Sequence, residues 1–444
     1  MHNSKNTTRR IFIKILCFSV VFLLLQSVLA FVAVPARSYS RLMLHELYSS
    51  SEPIDIGFLG ASRFFRGVNT KEIDEQLGIN SFDLGSSNQS LADAYYLLRE
   101  TYRYRPVKLL VLDLSANRLY ADASNFSAAI VLDYMKFSKN KAAYFFGAVD
   151  YEDYFKTLLP GLHYNNELLS TTWLSNAPIK LSRAYREYSP EVARYPETWY
   201  SGKGYISVST AYKDRNIGKV NVAKWEPERV SKESLAYVEK IIGLCRTNGT
   251  DVICMSVPTP MASFGSMGNY QEYFDYIKIF LEQYDVPYYN FTLVKPSVFL
   301  CKETNFTDPM HLNVEGALSF TNKLAGFFRE YQAGTLNPED YFYDSCDEML
   351  RDGAYVYSVW MEPQRNQNEL TAYSYYGTTV TPEYAFYYKK AGMDDFVLYR
   401  DYNENHNAEV SLLDPGEYII RAETRAVGSS VDYDQYDEIT YTVK

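Results

Sequence analysis

The stretch "IDIGFLGAS", residues 54–62, decides the fold prediction. It is largely apolar and ends in small residues, which predicts a buried strand followed by a tight turn. Residues 70–78, "TKEIDEQLG", begin with threonine and end with glycine, as expected of a short helix. Ser62 occupies the turn between the two, where serine either caps a helix or serves as a nucleophile.

Strands and helices continue to alternate on both sides of a long interruption. The pattern predicts further strands at residues 79–85, 108–115, 251–260 and 286–291, and further helices at residues 90–104, 231–249, 270–284 and 318–331. Apolar strands separated by helices are typical of a parallel sheet that is covered on both faces. We therefore predict a three-layer α/β/α domain over residues 53–335.

Two other segments depart from this pattern. Residues 118–226 are rich in Tyr, Asn and Ser and contain the glycine turn "SGKGY", so we interpret them as a long insertion over one end of the sheet. Residues 341–444 consist of short alternating runs separated by turn residues. The turn and strand "DPGEYIIRAETRA" predict an all-β unit resembling an immunoglobulin-like sandwich.

The amino terminus predicts attachment to a membrane. Several basic residues precede residues 15–34, an uncharged apolar run that is long enough to cross a bilayer. The basic end should remain cytoplasmic, which makes the rest of the chain extracytoplasmic. The length of the run favours an uncleaved anchor within residues 1–36, and a signal peptide cleaved near "SVLA" remains the alternative. Residues 37–52 are interpreted as a polar stalk.

Composition excludes some partners and leaves other questions open. The net charge of −10, without a basic cluster beyond the first residues, speaks against nucleic acid. The 42 tyrosines suit interfaces, carbohydrate-facing surfaces and half-wet sheets. Cys245, Cys254, Cys301 and Cys346 show no framework spacing, so disulfides stay undecided. No spacing suggests zinc, and we predict neither a metal nor a cofactor.

The chemistry-bearing residues converge on one sheet edge. His311 lies in the polar loop "TDPMHLN", which also contains Asp308. A serine nucleophile needs a base, and the base needs a carboxylate to orient it. Because parallel strands share a carboxyl edge, we expect this loop to meet Ser62 there. The backbone N–H groups of Ser62 and Gly85 and the amide of Asn117 are the candidate oxyanion donors.

Three blocks carry a family resemblance. "GFLGASR", "FDLGSSNQS" and "TDPMHLNVEGA", in this order, resemble the SGNH/GDSL hydrolase superfamily. The likeness is strongest to its membrane-anchored bacterial branch, which includes relatives of the D-alanyl lipoteichoic acid transfer protein and of alginate and peptidoglycan O-acetyltransferases. It covers about residues 54–331 and implies a flavodoxin-like sheet. It also implies that Ser62 is the nucleophile, Gly85 the second-block glycine, and Asp308 and His311 the last-block dyad.

Two positions depart from the family pattern. Asn88 follows Ser87 where the superfamily often has glycine, and the third block "LDLSANR" lacks its usual glycine. The pattern at Asn117 therefore favours a turn residue over an oxyanion donor. Arg63 and Asn88 are the candidate substrate contacts, while Arg63 and Arg66 together suit either an anionic polymer or a solvated helix face.

These patterns predict an extracytoplasmic serine-type acyl esterase or O-acyltransferase acting on ester-linked acyl groups of cell-surface or secreted glycans, through an acyl-enzyme on Ser62. The resemblance to polymer O-acylation systems implies a multi-spanning membrane O-acyltransferase as partner and favours transfer. The alternative is a non-catalytic surface protein, in which the α/β body is a degenerate scaffold and the sandwich binds glycan.

Overall fold

The computed structural model describes residues 2–164, 166, 171–211, 224–260, 269–301, 303–353, 355–364, 369–390 and 392–443. The strands of the α/β body are β1 (Ile54–Leu59), β2 (Ser81–Asp83), β3 (Val107–Asp113), β4 (Thr198–Gly202), β5 (Tyr205–Val208), β6 (Asp251–Ser256) and β7 (Tyr288–Asn290). Five of them form a parallel sheet in the order β2-β1-β3-β6-β7. The flavodoxin-like strand order is confirmed.

Helices cover both faces of the sheet. The described helices of the whole chain are α1 (His2–Ala33), α2 (Tyr39–Ser49), α3 (Ser62–Gly67), α4 (Thr70–Leu77), α5 (Leu91–Tyr102), α6 (Ala116–Tyr120), α7 (Asn125–Leu132), α8 (Lys139–Ala148), α9 (Tyr154–Leu158), α10 (Pro160–His163), α11 (Thr172–Leu181), α12 (Arg183–Arg186), α13 (Lys232–Thr247), α14 (Tyr270–Glu282), α15 (Val314–Ala333) and α16 (Cys346–Asp352). Strand residues alternate between two apolar cores, so that Leu110 packs with α5 and α13 while Val111 packs with α3, α4 and α15. The three layers follow from this alternation.

Residues 39–49 correct the stalk prediction. They form α2, whose Leu42, Leu44 and Leu47 are almost completely buried in the core shared with α5 and α13. The guanidinium of Arg41 stacks on the rings of Tyr185 and Tyr188, 3.6 and 3.9 Å from their centroids. Because these partners lie far away in sequence, the segment looks polar but is packed against the body.

Helix α1 contains one window, Arg9–Ala33, that is long and apolar enough to cross a membrane, with a mean hydropathy of 2.7. Its last turn is bonded to α11. Lys180 Nζ donates to the carbonyls of Phe31 and Val34 at 2.8 and 2.6 Å, and Asn176 Nδ2 donates to Val32 O at 3.1 Å. These bonds satisfy carbonyl groups that every helix leaves open at its carboxyl end.

The segment between β3 and α13 forms helices α6 to α12 and the β4–β5 hairpin. The turn of this hairpin, "SGKGY", places Gly204 against β2. A Cβ at Gly204 would lie 1.9 Å from Asp83 O, so only glycine fits. The hairpin therefore lies beside the carboxyl end of β2, next to the predicted site.

The carboxyl-terminal strands are β8 (Val356–Pro363), β9 (Glu369–Tyr376), β10 (Pro382–Lys390), β11 (Val397–Asn403), β12 (Asn407–Glu409), β13 (Gly416–Ala426) and β14 (Gln435–Val443). They form two antiparallel sheets, β11-β10-β13-β14 and β12-β9-β8. Both sheets contribute side chains to one apolar core, including Met361, Leu370, Phe386 and Ile420. The arrangement is a two-sheet antiparallel unit, while its likeness to an immunoglobulin sandwich remains a prediction.

All five cysteines carry free thiols. Cys17 is exposed on α1, and the other four are buried in the body. The spacing of the cysteines left disulfide formation undecided, and these five residues form none in the structure.

Candidate active site

Ser62 is the first residue of α3, directly after the turn that ends β1. Phe64 and Phe65 of this helix are buried on opposite sides of the molecule, in the two cores that flank the sheet. A helix has no carbonyl one turn before its first residue, so the Ser62 N–H lacks an intrahelical acceptor. Ser62 itself is partly exposed.

The loop that carries Asp308 and His311 is closed on itself. Thr307 N donates to His311 O at 2.8 Å, and the Asn313 side chain caps α15 by accepting from Gly316 N at 2.9 Å. The Asn313 amide also donates to two carbonyls within the loop. A Cβ on Gly316 would lie 2.0 Å from Asn305 O, so this approach requires glycine.

The structure brings Ser62, His311 and Asp308 together. Ser62 Oγ lies 2.7 Å from His311 Nε2, and His311 Nδ1 lies 2.8 Å from both Asp308 carboxylate oxygens. Because a carboxylate only accepts, Nδ1 carries the proton and Nε2 is left to accept from the serine hydroxyl. The arrangement has the geometry in which imidazole can take a proton from serine.

Asp308 is held as a carboxylate by its neighbours. Partial burial alone would raise the pKa of Asp308, but the His311 ring and the backbone N–H groups of Met310 and His311 lower it below its usual value. Both N–H groups donate to Oδ1, at 2.8 and 3.0 Å. The carboxylate is therefore ionised and fixed in orientation at neutral pH.

The N–H of Gly85 donates to Asp83 Oδ1 at 2.6 Å in this structure. Its role as an oxyanion donor therefore stays a prediction. The glycine is required for another reason: a Cβ at this position would lie 2.9 Å from Gly60 O and 3.0 Å from a ring carbon of Phe65. The second block thus packs against the nucleophile turn.

Asp83 is a fully buried carboxyl group beneath this turn. Burial raises the pKa of Asp83 well above its usual value; the Gly85 N–H opposes this effect, and nearby Asp113 adds to it. Its Oδ2 has no hydrogen-bond partner among the described residues. An ionised Asp83 would therefore carry a poorly compensated buried charge.

We expect Asp83 to make the protein less stable as the pH rises. A raised folded-state pKa means that the folded protein binds the proton more tightly, so the free energy of unfolding falls above about pH 4, where the unfolded residue ionises, by up to about 1.4 kcal/mol per pH unit. Asp83→Asn removes this contribution, which denaturant titrations at pH 4.5, 6 and 7.5 measure as a flatter slope. Asp251→Asn, at an exposed carboxylate, is the control. Identical slopes for Asp83→Asn and wild type would contradict the assignment.

Arg63 makes structural hydrogen bonds, and its role as a substrate contact stays a prediction. Its Nη2 donates to Val257 O at 2.9 Å and to Thr259 Oγ1 at 2.6 Å, tying α3 to the end of β6. The Nε atoms of Arg63 and Arg66 are both buried without a hydrogen-bond partner among the described residues. Burial lowers the pKa of Arg66, and the attraction of Asp308 opposes that effect. Both arginines are half-buried, so this face of α3 is only partly solvated.

Two predicted site residues remain, Asn117 and Asn88. Asn117 is exposed in the first turn of α6, and no described contact links it to Ser62 or His311, so its oxyanion role stays a prediction. Asn88 borders a cavity of about 580 Å³ that also reaches Gly85 and Phe65. The cavity is walled by α7, the β4–β5 hairpin and the segment after α1. In the described chain, no group of three His, Cys, Asp or Glu side chains is placed to hold a metal ion.

Comparisons with known proteins add little beyond this geometry. No protein-family model matches the chain, and no curated protein matches it. Among solved structures, the chain is similar to a GDSL-like lipase from Bacteroides thetaiotaomicron VPI-5482, with a TM-score of 0.32 and 12% identity, over 68% of this chain and 100% of the lipase chain. A likeness at this level carries no argument about activity.

Proposed function

We propose that the protein is an extracytoplasmic serine-type acyl esterase or O-acyltransferase acting on ester-linked acyl groups of cell-surface or secreted glycans. The observation that supports the proposal is the unbroken series of hydrogen bonds from Ser62 Oγ through His311 to Asp308. A serine capping a helix needs neither of these partners, whereas a nucleophile needs both.

In the proposed reaction, Ser62 Oγ bonds to the acyl carbonyl carbon while its proton passes to His311 Nε2. Asp308 stabilises the resulting imidazolium through Nδ1–H, and the Ser62 N–H is aimed at the developing oxyanion. Collapse of the intermediate breaks the ester bond, and His311 returns the proton to the departing alcohol. Water or a sugar hydroxyl then attacks the acyl-enzyme, with His311 again taking the proton. The acyl bond to Ser62 Oγ breaks, and Oγ takes that proton back from His311, which gives hydrolysis or transfer.

The proposal includes α1 as a single-pass anchor with its basic end in the cytoplasm. The bonds from Lys180 and Asn176 go to Phe31 and Val32, which lie after the alternative cleavage site at Ala30, so both forms of the chain would keep them. Retention of α1 is proposed on the length of its apolar window, Arg9–Ala33. A multi-spanning membrane O-acyltransferase remains the proposed acyl-donating partner, on the strength of the family resemblance.

The activity is tested on the full-length protein in detergent with a fluorophosphonate probe and with p-nitrophenyl acetate. We expect one adduct, located on Ser62 by mass spectrometry, and release of p-nitrophenol. A folded protein that neither reacts nor turns over would refute the proposal and leave the non-catalytic, glycan-binding alternative. Addition of an acceptor sugar separates the two reactions: acylated sugar indicates transfer, and acetate alone indicates hydrolysis.

A further inference from the structure

Large apolar side chains are exposed in unusual number on the insertion. Nine of them, with exposures from 50% to 93%, lie between residues 126 and 181: Phe126, Phe137, Phe146, Tyr151, Phe155, Leu158, Leu162, Leu174 and Leu181. Isolated exposed apolar residues are normal on soluble proteins, but a concentration of them marks an interaction surface. The five on α9 to α11, Phe155, Leu158, Leu162, Leu174 and Leu181, are called the apolar rim here.

The apolar rim belongs to helices that adjoin the membrane-crossing candidate. Helices α10 and α11 pack against α1. On one face of α1, the residues Gln26, Leu29, Ala30 and Ala33, which lie at helical spacing, are less exposed than most of their neighbours. Gln26 Oε1 is buried. This face begins inside the window Arg9–Ala33. Seven residues of helix rise about 10 Å, so the packed face extends about 10 Å below the outer end of that window.

We propose that α9 to α11 form a membrane-surface element, with the apolar rim inserted among the acyl chains of the outer leaflet beside α1. The proposal rests on the anchor assigned to α1 above. A body that contacts α1 at Gln26 must itself enter the apolar layer, to the depth typical of interfacial helices. Helices can do so because their backbone groups are bonded internally. Lys156 and Arg183 have mostly exposed side chains, and their long stems allow the charges to remain at the headgroups.

The bilayer suits this surface better than a protein partner. The position of the apolar rim is set by its attachment to α1. Lipid would therefore surround the rim whether or not another protein is present. A second copy or a membrane-protein partner would have to displace that lipid, since lipid tails are as apolar as these side chains. These alternatives are therefore separate outcomes of the test.

The test uses full-length protein in phosphatidylcholine–phosphatidylglycerol vesicles, in a Cys17→Ser background, with an environment-sensitive NBD label. Labels are introduced singly at the apolar rim (Phe155→Cys and Leu174→Cys), on α1 (Leu24→Cys) and on the carboxyl-terminal unit (Leu398→Cys). All four positions are more than half exposed in the structure. We expect doxyl-lipid quenching and blue-shifted emission at positions 155, 174 and 24, and iodide quenching with red-shifted emission at position 398.

Each result decides between defined outcomes. Iodide quenching at 155 and 174, with lipid quenching kept at 24, overturns the membrane-surface proposal and leaves the anchor intact. Iodide quenching at all four positions overturns the anchor as well. Blue-shifted emission at 155 and 174 without lipid quenching assigns the surface to a protein contact and overturns the proposal. Leu162→Asp should reduce lipid quenching at 155, whereas Leu398→Asp should leave it unchanged, and neither result depends on esterase activity.

Discussion

Ser62→Ala is expected to abolish acyl-ester turnover, lowering kcat/KM by at least about 10³-fold, while the protein stays folded. The hydroxyl oxygen that donates to His311 Nε2 at 2.7 Å is also the atom that would attack the ester. Ser62 is partly exposed and is the first residue of α3. The buried phenylalanines of α3 hold this helix in place, and the Ser62 hydroxyl does not. Loss of Oγ therefore removes the nucleophile without creating a cavity.

The measurement is ester hydrolysis and fluorophosphonate labelling of both proteins, with circular dichroism and thermal unfolding to show that the fold is kept. Ser115→Ala is the matched control: this serine follows β3 at the same edge of the sheet, and its side chain makes no cap hydrogen bond to α6. It should keep near wild-type activity. Unchanged turnover in Ser62→Ala would rule out Ser62 as the nucleophile, even if the activity itself is real.

Asp308→Asn is expected to lower kcat by about 10³- to 10⁴-fold, the scale of effect when a wrong imidazole tautomer is imposed. Two backbone N–H groups already donate to Oδ1. They should keep the asparagine oxygen at that place, which puts the NH₂ group at the Oδ2 position, 2.8 Å from His311 Nδ1. This donor favours the tautomer that carries its proton on Nε2, where the ring can no longer accept from Ser62.

The decisive readout is the tautomer, which ¹⁵N chemical shifts of the His311 ring report directly. Wild type should show the Nδ1-protonated form of neutral imidazole, and Asp308→Asn the Nε2-protonated form. Asp340→Asn, at an exposed residue before the carboxyl-terminal unit, is the control and should alter neither the tautomer nor kcat. A large loss of kcat with the wild-type tautomer would assign Asp308 to loop structure instead.

The sequence predicted the layers and the meeting of the three reactive residues for simple reasons. Runs such as residues 108–115 are apolar on both faces, which marks covered strands, and parallel strands bring their carboxyl ends to one edge. Residues Ser62 and His311 could be paired across the chain on this topological rule alone. The sequence did not predict that residues 39–49 pack against the body. Arg41 is stabilised there by tyrosines of the insertion, and no local pattern reveals these partners.

What the sequence by itself determined is therefore the face or edge on which a residue lies. Only the tertiary structure decided which polar atoms there are already engaged: Gly85 N–H by Asp83, the guanidinium of Arg63 by the end of β6, and the carbonyls at the end of α1 by Lys180. Hydrogen bonds depend on distances and angles between atoms from different elements. Periodicity along one chain carries no record of such distances, so the donors that remain for a substrate emerge only from the folded molecule.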